Sequence, residues 1–123
     1  MVADSDPIMR HQAGWLLREC GVAVREAEES LGSIRLCRDP GVPVDVVIIN
    51  ILMPGARGAY EEIRKIRPEV RFIFIGGMRR EGLAQDDAMD AGIATIYRPL
   101  DGEELLAKLM KVLGIERTGT GSA

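Results

Sequence analysis

Val44-Asp45-Val46-Val47-Ile48-Ile49-Asn50-Ile51-Leu52-Met53-Pro54-Gly55 is the stretch on which the fold turns. Its apolar run, 46–53, is interrupted only by Asn50 and stopped by Pro54, and it is far too short to cross a bilayer. Rich in Val and Ile, it reads as a buried strand over 44–50 that ends on a single polar residue.

Outward from it, similar β-branched runs alternate with segments of helical period. Strands are expected at 1–3, 22–27, 44–50, 71–75 and 93–97, and helices at 7–20, 30–38, 59–66, 83–91 and 101–113. Asp6 can cap the first helix while Pro7 takes its first position, where a missing N–H costs nothing. Met9, Ala13, Leu16, Leu17 and Cys20 share the face expected on the sheet, and Trp15, on its flank near Ile8 and His11, is expected to pack against the last helix, with an exposed anchor for a partner as the alternative. Asp101 with Glu104 resembles a capping box, followed by Leu105, Leu106, Leu109 and Val112 as a buried face. Asp86, Asp87 and Asp90 make an acidic stripe on the fourth helix, Arg79-Arg80 a solvated loop edge, and Gly76-Gly77 a flexible turn after the fourth strand.

The pattern is five βα units around a parallel sheet: an α/β, three-layer, flavodoxin-like sandwich with strand order 2-1-3-4-5. One feature strains it, because the first strand, internal in this order, has only three residues before Asp4.

The chain has 123 residues, 46% hydrophobic and 28% charged, which suits one domain, read as 1–114 with a polar flexible tail or linker at 115–123. A net charge of -3 provides no cationic field for nucleic acid or an anionic membrane. The start shows no secretory signal, so a cytoplasmic location is expected. Cys20 and Cys37 stand apart from each other and from His11, so neither a metal centre nor a redox motif is expected; both should be buried thiols.

In such a sheet the ligand crevice lies at the carboxyl ends of the strands where the winding reverses, between the first and third. Asp4 and Asn50 end those two strands, and Gly76 and Arg98 follow the fourth and fifth.

The segments Val2-Ala3-Asp4-Ser5-Asp6-Pro7, Val44 to Gly55, and Tyr97-Arg98-Pro99-Leu100 together resemble the three signature blocks of response-regulator receiver domains, over residues 2–113. The resemblance implies two-component signalling or a phosphorelay. The family has an acidic pair, a phosphoacceptor Asp, a Thr or Ser, and a Lys before proline. These fall on Asp4 and Ser5, Asn50, Gly76, and Arg98, so Asp4 alone is kept. The chain therefore resembles a degenerate receiver, or pseudo-receiver, with no catalytic residue.

An amide oxygen, neutral and tied into resonance, is a poor nucleophile toward phosphorus. Magnesium prefers carboxylate oxygens, and with Asp4 as a vestigial ligand beside Arg98 its binding is expected to be weak or absent, and no other cofactor is implied. Thr95 stands where the family has a rotating aromatic, and Tyr97 is expected on the opposite side of the strand. Arg98 is expected to reach Asp4 and lock the crevice.

The resemblance implies a non-enzymatic interaction module whose partner is a kinase, an output domain or a second copy. The family's usual face is the fourth helix, fifth strand and fifth helix, here marked by Asp86, Asp87, Asp90, Thr95 and Tyr97. Two alternatives stay open: a ligand-binding flavodoxin-like protein using the same crevice, and an Asp-to-Asn variant of a working receiver. Against the first, two carboxylates and a proline in Asp4-Ser5-Asp6-Pro7 would repel a phosphate; against the second, Ser5, Gly76 and Arg98 also differ.

Overall fold

The structure is a computed structural model that describes residues 1–78 and 93–114. The strands are β1 (Val2–Ala3), β2 (Glu26–Ala27), β3 (Val46–Asn50), β4 (Arg71–Met78) and β5 (Ile93–Arg98), and the helices are α1 (Pro7–Glu19), α2 (Ser30–Arg38), α3 (Ala56–Ile66) and α4 (Gly102–Leu113). All four strand pairings are parallel, in the order β2-β1-β3-β4-β5 expected from the sequence. The helix expected at 83–91, with Asp86, Asp87 and Asp90, lies outside the described residues, as do Arg79-Arg80 and the tail at 115–123.

Every residue of β3 is buried, because alternate side chains enter two cores. Val47 and Ile49 join Ile34, Cys37, Ala59, Tyr60, Ile63, Phe72 and Phe74 in the layer under α2 and α3. Val46 and Ile48 join Ala13, Leu17, Ile73, Ile75, Ile96, Leu105 and Leu109 under α1 and α4. The Tyr60 ring meets Phe72 and Phe74 edge-on at 4.7 and 5.1 Å, a geometry that aligns ring edges with ring faces.

The caps follow the sequence signals. Asp6 accepts from the Ile8 N–H at 2.9 Å to start α1, and Asp101 accepts from the Glu103 N–H at 2.9 Å to start α4. The expected 101–113 helix thus begins one residue later, with Asp101 as its cap. α3 begins three residues before the expected 59, since Gly55, with φ of 77°, turns the chain into it directly from the strand-end loop.

Four other expectations are corrected. β2 is confined to Glu26–Ala27 instead of 22–27, because β1 offers only two residues to pair with it. β4 continues through Gly76-Gly77 to Met78, so the glycines lie in the strand, at a register shift against β5, and not in a flexible turn. Trp15 is 60% exposed instead of packed on the last helix; its neighbour Leu16 turns toward α4 and lies 3.0 Å from the Cβ position of Gly102. Cys37 is buried as expected, but Cys20, at the end of α1, is exposed. No described helix is long and apolar enough to cross a membrane.

Candidate functional site

The crevice is built where β1 and β3 end side by side, with Val2 opposite Ile48 and Ala3 opposite Ile49. That register sets Asp4 beside Asn50, although 46 positions separate them in the chain. Asp4 is fully buried and Asn50 is 6% exposed.

The Asn50 Nδ2 donates to Asp4 Oδ1 at 3.1 Å, and the Leu52 N–H donates to Asn50 Oδ1 at 2.9 Å. Chemistry fixes the amide in this sense, since a backbone N–H must face the oxygen and a carboxylate must face the NH₂ group. Asp4 Oδ1 accepts a second bond, from the Asp6 N–H at 2.9 Å. Asp4 Oδ2 is buried without a hydrogen-bond partner among the described residues.

A magnesium ion, which the family's acidic site implies, does not fit this donor set. Asp4 Oδ1 is committed to two N–H donors, Asn50 turns an NH₂ and not an oxygen toward Asp4, and Ser5 is exposed. The described residues contain no cluster of three or more His, Cys, Asp or Glu placed to hold a metal.

Arg98 closes β5, followed by Pro99 through a cis peptide. Its Nε is buried and unpartnered among the described residues, and no ion pair joins it to Asp4, so the expected lock between the two is not formed. β3 and β4 stand between β1 and β5, and three strand spacings, about 14 Å, separate the two backbones.

Tyr97 is also placed differently from expectation. Residues two apart share a side of a strand, so Tyr97 lies on the same side as Thr95. Its ring runs beside Gly76: a Cβ there would lie 2.9 Å from Tyr97 Cε1 and 3.0 Å from Cδ1.

A feature the sequence reading missed braces the crevice from α1. Arg10, only 11% exposed at its side chain, donates from Nη1 to the Asp4 carbonyl at 2.9 Å and from Nε to Glu26 at 3.2 Å. Arg18 at 3.2 Å and His11 at 3.4 Å also meet Glu26. The only sequence signal was an acidic residue, Glu26, in the second strand and basic residues, Arg10 and Arg18, on the first helix. On the far rim, Ser30 Oγ donates to the Pro54 carbonyl at 2.6 Å, tying α2 to the loop after β3.

Burial pushes the Cys37 thiol above its ordinary range, which leaves it protonated and unreactive. Burial also lowers the Met1 α-amino group to about 6, while its N–H donates to the Val46 carbonyl at 2.7 Å.

A family model described as response regulator receiver domain matches residues 1–110. The chain belongs to this family. As a receiver domain it is a signalling module, and its relatives place the same unit in larger proteins. It is 26% identical over 115 residues to the sensor kinase CckA of Brucella abortus, covering 92% of this chain and 12% of that protein. It is 29% identical over 129 residues to the transcriptional regulatory protein AruR of Pseudomonas aeruginosa, covering 100% of this chain and 52% of that one. The receiver therefore spans about half or less of the length of these curated relatives. Among solved structures, a response regulator receiver protein from Sinorhizobium medicae superposes with a TM-score of 0.75 at 19% identity, covering 92% of this chain and 91% of that one.

Proposed function

We propose that this receiver is a phosphorylation-independent signalling and protein-interaction module whose phosphorylation site, Asp4, Ser5, Asn50, Gly76 and Arg98, is degenerate. The observation that carries the reading is the Asn50 amide, which ends β3 with a neutral group whose oxygen is engaged by Leu52 and whose NH₂ is engaged by Asp4. Phosphoryl transfer needs an anionic oxygen free to attack in line, and a cation to offset the charge on the equatorial oxygens. At this strand tip the amide supplies neither. The unit acts by binding and not by catalysis, as a cytoplasmic domain of residues 1–114 with 115–123 as a tail or linker.

Its partner is a kinase, an output domain or a second copy, docked on the face that includes Thr95 and Tyr97 on β5 together with Asp86, Asp87 and Asp90. The curated relatives named as a sensor kinase and a transcriptional regulator support both kinds of partner. Charge reversal at the three aspartates weakens binding if this face is the right one, and unchanged binding sends the interface elsewhere.

The central experiment is intact-mass measurement after incubation with acetyl phosphate and magnesium. The expected result is no added phosphoryl mass on this chain, and no rapid labelling of Asn50→Asp either. An acid-stable, hydroxylamine-labile phosphoryl adduct on the parent chain overturns the proposal.

A further inference from the structure

Glycine at position 76 is not demanded by its own backbone. The left-handed glycines among the described residues are Gly21, Gly55 and Gly114, and Gly76 is not one of them. It lies within β4, buried, where a side chain is ordinarily favoured over its absence. What excludes a side chain is the ring of Tyr97. A Cβ at 76 would approach the ring to 2.9 Å, closer than carbon atoms pack, and a ring edge cannot bend aside as the tip of a flexible chain can.

The neighbouring glycine is different. Among the described residues, a Cβ at Gly77 would meet only Leu52 Cδ1, at 3.6 Å, which is ordinary contact. Leu52 is in turn the residue whose N–H holds the Asn50 amide. Leu52, held to Asn50, thus stands over Gly77, and Tyr97 stands over Gly76 beside it. The register shift between Ile75 and Met78 spans the two glycines. Alternation along β4 and β5 puts Phe74, Gly76, Thr95 and Tyr97 on one side of the sheet, the side covered by α2 and α3.

We infer that Gly76 and Tyr97 form an interlocked pair: the ring of Tyr97 occupies the space of the missing side chain at 76 and is held there in a single inward orientation. Tyr97 is a positioning residue, fixing the end of β5 and the approach to the crevice in one conformation. Any side chain at 76 expels the ring. The inference is independent of whether Asn50 is replaced or phosphate is bound, since it rests on the contact between β4 and β5 alone.

The test is a double-mutant cycle of Gly76→Ala and Tyr97→Ala, read by urea unfolding. Gly76→Ala lowers the folding equilibrium constant roughly 5- to 150-fold, the usual cost of overpacking. In the Tyr97→Ala background the same change alters it by less than about twofold. Gly77→Ala is the control and is tolerated in both backgrounds. Equal effects of Gly76→Ala in the two backgrounds overturn the inference. If Gly76→Ala does not fold alone, folding of Gly76→Ala/Tyr97→Ala supports the pairing, and failure of the double variant to fold refutes it.

A second readout separates a displaced ring from simple destabilisation. In chain labelled with 3-fluorotyrosine, the resonance assigned by its loss in Tyr97→Phe is single and, Tyr97 being half-buried, only partly accessible to a soluble relaxation agent. In folded Gly76→Ala it shifts and becomes more accessible; an unchanged shift and accessibility there contradict the interlock.

Discussion

Replacing Asn50 by aspartate exchanges an attraction for a repulsion at one of the most buried points of the molecule. In the parent the Asn50 Nδ2 lies 3.1 Å from Asp4 Oδ1, and both residues are almost wholly inaccessible. Asn50→Asp removes a hydrogen bond to a charged group, worth about 1.5–3 kcal/mol. It also brings two carboxylate oxygens to the same separation, where Coulomb repulsion at an effective dielectric of about 20 is about 5 kcal/mol. The pair escapes part of this by retaining one proton, so the expected net destabilisation at pH 7.5 is about 2–5 kcal/mol.

The pH dependence has a definite sign. A carboxyl group that keeps its proton in the folded pair to a higher pH than in the unfolded chain, near 3.9, loses stability as pH rises. Asn50→Asp therefore lies closer to the parent at pH 5 than at pH 7.5. The variant also presents two carboxylates where the parent has one, so magnesium stabilises it more than the parent, by about 1.4 kcal/mol at ten times its dissociation constant. Urea unfolding at both pH values, with and without magnesium, checks all three statements. A variant as stable as the parent at pH 7.5, without magnesium, would show that the Asn50–Asp4 hydrogen bond does not organise the crevice.

Arg10→Ala leaves the Asp4 carbonyl without this donor and Glu26 with Arg18 and His11 alone, and costs about 1–3 kcal/mol in urea unfolding. Arg38→Ala, which loses only an exposed pair with Glu62 at 3.5 Å, changes stability by less than about 1 kcal/mol. With the Met1 α-amino group lowered to about 6 by burial, the unfolded 123-residue chain binds more protons between that value and about 8. Stability accordingly rises across this interval, by at most about 2–3 kcal/mol, and a flat unfolding profile there rules out a buried amine. Trp15→Ser leaves stability within about 0.5 kcal/mol of the parent, and the indole fluorescence of the parent is readily quenched by acrylamide; a protected indole contradicts its exposed placement.

The parts of the fold that were legible before the structure are those decided by burial over several residues. β3 declares itself because its four consecutive side chains from Val46 to Ile49 must be apolar when both faces are covered, and Asn50 stands out as the one polar group at its tip. Asp6 and Asp101 declare helix starts because an unsatisfied N–H needs a nearby acceptor. What was not legible depends on which atoms meet across strands. The Asn50–Asp4 bond follows from a register that β1, with two residues, hardly specifies in sequence. Gly76-Gly77 read as a turn because glycine usually marks one, whereas here a ring from the adjacent strand claims the space. Trp15 sits on the flank of the apolar face, where period alone does not decide between packing and exposure; Ile8 and Trp15 are seven positions apart and both look outward, at 76% and 60% exposure.

The cross-bracing at the rim has a consequence for how the molecule opens. Loops at the ends of strands ordinarily exchange their amide hydrogens by small local fluctuations. Here the Asp6 and Leu52 amides are bound to Asp4 and Asn50, Arg10 grips the Asp4 carbonyl, and Ser30 holds Pro54. These turns separate from one another only when the central strands do, so they belong to the last cooperative unit to melt, and their protons outlast those of the exposed α1 terminus around Cys20 and Gly21.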